Sequence, residues 1–165
     1  FFHQDFILSE RGWSTELFAL SFMILTVVSI ISGLISGIMI DRKSATVLLP
    51  STLLPMALGC LILAFGTSEL TMLTYMFLLG ISAGIAGSVI GSIWPEVYGT
   101  EHLGAIRSVE MALMVLFSAL GPGVLGWLID FDVSIDTQFL VLAVYCFLAV
   151  GAMAFSAKKY LQRGI

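Results

Sequence analysis

Five long apolar runs constrain this chain more than anything else in it. Residues 17–40, 45–65, 70–94, 108–129 and 139–157 are each long enough to cross a bilayer, which takes roughly 20 mostly apolar residues, and short polar connections separate them. Residues 1–8, FFHQDFIL, read as the tail of another helix whose beginning is missing. Charged residues make up only 11% of the 165, and the mean hydropathy is +1.06. A soluble domain carries about 25% charged residues, so most of this surface must meet lipid. The expected fold is an all-α membrane protein, a multi-pass helical bundle forming one transmembrane domain over residues 1–165. Pro50, Pro55, Pro95 and Pro122 lie in or at the ends of the runs, where neighbouring helices can satisfy the backbone groups they free. The chain begins with Phe1 and shows no signal-peptide pattern, so an upstream segment is expected.

The charges divide by side. Arg42, Lys43, Arg107, Lys158, Lys159 and Arg163 fall in alternate connections, and only Arg11 falls on the other face. Asp5, Glu10, Glu16, Glu69, Asp130, Asp132 and Asp136 share the Arg11 face. The positive-inside rule then places the C-terminus in the cytoplasm, in a cell (inner) membrane. No basic patch with interleaved aromatics suggests nucleic-acid binding.

The first run ends in GLISGIMIDRKS, residues 33–44. Asp41, Arg42 and Lys43 stop the span, because dragging both bases to the membrane centre would cost roughly 5–7 kcal/mol. GIMIDRK, residues 37–43, is echoed by GWLIDFD, residues 126–132, with its aspartate at the opposite face. Two three-helix units inserted upside down relative to each other give such a pattern, an inverted repeat.

The stretch SGLISGIMIDRKS resembles the G-x-x-x-D-R loop motif of the major facilitator superfamily, found after the second helix of each six-helix half. IWPEVYGTEHLGAIRS resembles the connection after the fourth helix of a half, with a short cytoplasmic helix, and KKYLQR resembles the usual basic tail. The resemblance covers the whole chain. It implies a C-terminal half, helices seven (partial) to twelve, of a chain of about twelve spans. The pattern departs at Met76, where the family's fourth-helix motif carries Arg before its glycine, and ALGPGVLG is only a faint likeness to an antiporter motif.

The resemblance implies a cytoplasmic gating network of Gly37, Asp41, Arg42, Glu96 and Arg107. Asp41 is expected near Arg107, and Glu96 is expected to pair with Arg42. Pairs at a wet face are worth ~0–1 kcal/mol each, which suits a reversible latch; independent solvated charges are the plain alternative. Gly33 and Gly37, and Gly80, Gly84, Gly87 and Gly91 at spacings of four, three and four, read as small-residue faces for close helix packing.

Chemistry is scarce. There is no HExxH, CxxC or nucleotide-binding glycine loop, so neither an enzyme nor a cofactor is expected. Cys60 and Cys146 read as small hydrophobes, and Met72, Met76, Met111 and Met114 as core filler or lipid-facing side chains. Glu110 is expected to pair with Arg107, three residues away. Candidate solute-lining residues are His3, Gln4, Tyr75 and Ser82, with Gln138 at the outer edge of the last span. Tyr75 reads equally as an interfacial anchor and His3 as a satisfied helix-end histidine.

The expected function is secondary transport of a small organic solute by alternating access. Symport or antiport with a proton or sodium ion would drive it, or the solute's own gradient. The segment YGTEHLGAIRS is similar to bacterial members moving organic anions such as monocarboxylates. The partners expected are the solute, the lipid bilayer and the missing N-terminal half of the same chain. The alternative is a non-transporting five- or six-span scaffold or subunit working through its glycine faces.

Overall fold

The computed structural model describes residues 4–162, so His3 and Arg163 lie outside it, and only the backbone of Gln4 is described. The helices are α1 (Gln4–Arg11), α2 (Thr15–Arg42), α3 (Ala45–Leu48), α4 (Leu54–Phe65), α5 (Glu69–Tyr98), α6 (Leu103–Asp130) and α7 (Ile135–Gln162), with a 3-10 turn at Leu49–Thr52 between α3 and α4. Among the described residues there is no strand. Five segments are long and apolar enough to cross a membrane: α2, Ala45–Phe65, α5, α6 and α7. The second has the bounds of its run, and the other four extend beyond theirs by a few residues at each end.

Local chemistry sets the boundaries. Ser14, Ser44 and Ser68 each accept a backbone N–H from the first turn of the helix that follows them, replacing a partner that the helix itself cannot supply. Gly12 and Gly99 close α1 and α5 with φ of 64° and 73°, a region other residues enter at a cost. The Gly99 N–H caps the Pro95 carbonyl at 3.0 Å.

Two expectations change. The second run is not one continuous helix: it kinks through the 3-10 turn between Pro50 and Pro55, each of which lacks an N–H for the ladder. The third run does not stop before Pro95 but continues to Tyr98, and α6 begins after only four connecting residues, 99–102. The separate short helix expected between them is therefore absent; its sequence is divided between the end of α5 and the start of α6.

The starts of α2, α5 and α7 meet the end of α4 at one end of the bundle, where the acids concentrate. Arg11 ties them together, donating to the carbonyls of Gly66 and Leu63 (3.0 Å to the latter) and forming an ion pair with Asp136. Trp13 lies beside it, donating to the Thr67 carbonyl at 2.7 Å, with the guanidinium 5.5 Å from its ring centre. Leu8, Trp13, Leu63 and Met72 form the apolar core beneath this clasp. The ends of α2, α5 and α7 lie at the opposite, basic end.

The packing is uneven. α2 and α5 share the most extensive contact, α4 packs on α5 and α7, and of the five spanning segments α6 touches its neighbours least. No residue of α6 is buried, although residues such as Leu116, Phe117 and Leu120 are large and apolar.

Candidate functional site

The closest helix contact is built from small residues. Gly33 of α2 lies against Gly84 of α5, a Cβ at position 33 standing 3.5 Å from the Gly84 carbonyl oxygen. At Gly80 a Cβ would stand 2.8 Å from the Leu25 carbonyl oxygen. Ser32 donates to the Gly80 carbonyl at 3.3 Å, and Ser88 to the Gly33 carbonyl at 2.9 Å. Small side chains here let the backbones approach and hydrogen-bond across the interface.

Gly87 and Gly91 lie outside this contact, with no atom within 4 Å of where a Cβ would stand; the same holds for Gly37. The helix period explains Gly87, though not Gly37 or Gly91, which lie four residues from Gly33 and seven from Gly84 and so return to nearly the same side of their helices. Residues four apart drift only slightly around a helix of 3.6 residues per turn, so the ridge facing α2 runs Gly80, Gly84, Ser88. A step of three from Gly84 to Gly87 turns off that ridge.

Two apolar, partly open cavities run into the bundle. One, of about 340 Å³, is lined by Trp13, Met72, Tyr75, Pro122 and Phe139. The other, of about 670 Å³, is lined by Thr46, Thr52, Ser82, Trp94, Met153 and Tyr160. Met56 and Leu79 line both. Tyr75 is half-buried, edge-on to Phe139 with ring centres 6.2 Å apart. Ser82 is buried, and its hydroxyl donates to the Thr52 carbonyl at the 3-10 turn. That bond staples the kink in the second span to α5. Gln138 donates to the Val133 carbonyl at 2.9 Å in its own connection. Met72 and Met76 are core, whereas Met111 and Met114 are exposed on α6.

At the basic end the predicted residues meet other partners. Glu96 does not pair with Arg42. Its carboxylate accepts from the Ala45 N–H at 2.6 Å, the Thr46 N–H at 3.1 Å and the Thr46 hydroxyl at 2.6 Å. Backbone amides at the start of a helix lack partners of their own, so a carboxylate reaching them serves both groups. The Tyr160 hydroxyl adds a contact from α7, donating to the Glu96 carbonyl at 3.3 Å. Arg107 pairs with neither Asp41 nor Glu110; it donates to the Gly91 carbonyl at 2.9 Å. Pro95 sits four residues after Gly91 and has no N–H to give that carbonyl. The guanidinium from α6 supplies the missing donor. Asp41, in the last turn of α2, makes no hydrogen bond or ion pair with the described residues. The only ion pair among them is Arg11–Asp136, at the other end.

Glu96→Ala is expected to leave the Ala45 and Thr46 amides without acceptors and to cost about 1–3 kcal/mol. Thermal unfolding in detergent or lipid would show this as a lower midpoint, with Glu96→Gln recovering only part of the loss, because its amide oxygen still accepts at one end while its NH2 group meets a backbone N–H at the other. Equal midpoints for the wild type and Glu96→Ala would show that the contact contributes nothing.

A family model described as Major Facilitator Superfamily matches residues 1–163. The chain belongs to the major facilitator superfamily. It is therefore a multi-pass membrane protein of a transporter family, acting in a lipid bilayer on small-molecule solutes. Comparison with curated proteins and with solved structures gave no match. The superfamily assignment gives the arrangement its setting: long helices joined through small residues, with polar ties concentrated at the two ends. Sequence reasoning missed Arg11, although its signal was present as the lone base on the acidic face.

Proposed function

We propose that this superfamily member is a secondary transporter that moves a small organic solute by alternating access, with these residues forming its C-terminal half. The observation that carries the reading is the family match across residues 1–163. In this reading an N-terminal half of the same chain completes the pathway, and residues 1–165 form one transmembrane domain with an inverted three-helix repeat. α2 and α6 run in opposite directions and end with Asp41 and Asp130 in their final turns, which supports the repeat. The distribution of bases supports a cytoplasmic C-terminus in a cell membrane. A proton or sodium ion is the proposed coupling partner.

The two cavities support a role for Tyr75 and Ser82 in lining a solute path, with His3 and Gln4 as further candidates. No basic side chain lines either cavity, so the proposal stays at a small organic solute and carries the monocarboxylate refinement no further. A scaffold working through Gly80 and Gly84 is disfavoured because α2 already covers them; Gly37, Gly87 and Gly91 stay uncovered.

Asp41 is proposed to latch the cytoplasmic end in another conformation, which suits its lack of a partner in this one. Uptake of candidate solutes by the full-length polypeptide in proteoliposomes tests the whole reading, and absence of flux for every solute class would favour a scaffold. In a flux-competent preparation, Asp41→Asn should lower the uptake rate by up to about fivefold, the scale of an exposed pair, while membrane insertion is unchanged. Normal uptake kinetics in that variant would remove the latch.

A further inference from the structure

We propose that the crevice between α5 and α6 at the basic end binds a protonated amine that carries an oxygen acceptor beside it, and that binding requires α6 to move outward. The crevice has a volume of about 530 Å³ and is lined by Trp94, Tyr98, Ile106, Val109, Glu110 and Leu113. Two polar atoms on residues that line it are shielded from solvent, beneath its open surface, and have no hydrogen-bond partner among the described residues: the indole Nε1 of Trp94 and Oε2 of Glu110. These are the only such side-chain atoms found among the described residues.

Their chemistry defines the occupant. The Trp94 N–H can only donate and an ionised Glu110 can only accept, so the ligand must supply an acceptor to one and a donor to the other. Glu110 is half-buried with one carboxylate oxygen shielded; a shielded oxygen without a donor is costly, and a cation is the group that offsets this most. The nearest base on the same helix, Arg107, is held on the Gly91 carbonyl.

Trp94 and Tyr98 present stacked rings with centres 6.1 Å apart and planes 25° from parallel; aromatic faces attract organic cations. A metal ion fits poorly. Glu110 is the only carboxylate in the lining, and no cluster of metal-ligating side chains occurs among the described residues. An anion would meet Glu110 with like charge. An ammonium for Glu110, with a nearby hydroxyl or carbonyl oxygen for Trp94, satisfies both atoms at once.

Both polar atoms are covered in this conformation, so the ligand reaches them only when α6 swings away from α5. α6 is the spanning helix suited to that motion, since it has no buried residue and, of the five spans, the least contact with the other described residues. A ligand that binds only the opened arrangement shifts the population toward it. That the amine belongs to the transported solute rests on the transporter reading; the binding itself does not.

Equilibrium binding of radiolabelled ethanolamine to the full-length polypeptide in lipid nanodiscs tests the proposal, with acetate and tetramethylammonium as competitors. Ethanolamine should bind and acetate should not compete. Glu110→Gln should weaken binding roughly tenfold or more, the scale of a lost charged hydrogen bond. Trp94→Phe keeps an aromatic ring but removes the N–H, and should weaken ethanolamine severalfold while leaving tetramethylammonium unaffected. Competition by acetate would overturn the proposal. So would ethanolamine affinity unchanged in both variants, the result expected if a basic side chain from elsewhere in the protein occupies the crevice. Uptake measured on the same preparation separates the two readings: binding without flux leaves the site and removes the transport role, and flux without binding removes the site.

Discussion

Gly84→Ala should destabilise the bundle by about 3 kcal/mol, at the upper end for overpacking a tight contact, and Gly84→Val by more. A Cβ at this position would run into the Ser29 carbonyl and the Ser32 hydroxyl and stand 2.7 Å from the Gly33 backbone nitrogen. Two of the three obstacles are backbone, so a change of rotamer cannot relieve the overlap; α2 and α5 must separate. Gly87→Ala and Gly91→Ala provide the comparison. Nothing lies within 4 Å of either added methyl, and exchanging glycine for alanine inside a helix favours the helix by roughly 0.5–1 kcal/mol. Thermal unfolding of the three alanine variants in one lipid should therefore show a large fall for position 84 and none for the other two. Equal midpoints would mean that Gly33 and Gly84 are not in contact in the membrane.

Arg11→Met should carry the second largest cost, about 2–3 kcal/mol. The side chain is only 7% exposed and serves the carbonyls of Leu63 and Gly66 as well as Asp136. Removing the guanidinium leaves both carbonyls without this donor at the end of α4. Asp136 contributes less, because it is 58% exposed and exposed pairs are worth ~0–1 kcal/mol. Asp136→Asn should therefore be mild, and Arg11→Lys should fail to restore stability, since one ammonium cannot reproduce the planar fork. Unfolding midpoints in which Asp136→Asn falls as far as Arg11→Met would show that the ion pair, rather than the carbonyl contacts, holds the clasp.

The five spans were legible because a helix that must satisfy its own backbone in lipid leaves a long apolar run as its trace. The kink in the second span had its trace in Pro50 and Pro55. What the sequence concealed was partnership. Charges invite pairing with opposite charges, yet Glu96 goes to the amides of Ala45 and Thr46, and Arg107 goes to a carbonyl. Pro95 marks the Gly91 carbonyl as short of a donor, and a helix start marks its first amides, but nothing in the residue pattern says which side chain will reach them. The glycine stripe was half legible for a similar reason. Its spacing gave a face, but which ridge of that face meets α2 depends on the rotation of two helices about their own axes. Glu110 shows the same limit from the other side: its nearest base along the chain, Arg107, was already engaged by Gly91.

The contact between Arg107 and the Gly91 carbonyl couples two mechanical properties that helices usually keep apart. Pro95 leaves α5 with a missing rung, and α6 fills it from outside. The stiffness of that part of α5 is thus partly supplied by its neighbour. If α6 withdraws, the support leaves with it: the freed carbonyl turns to water or lipid headgroups, and α5 gains a compliant joint close to its end. A swing of one helix and a bend in the other become two faces of a single event, with one guanidinium as the shared bearing.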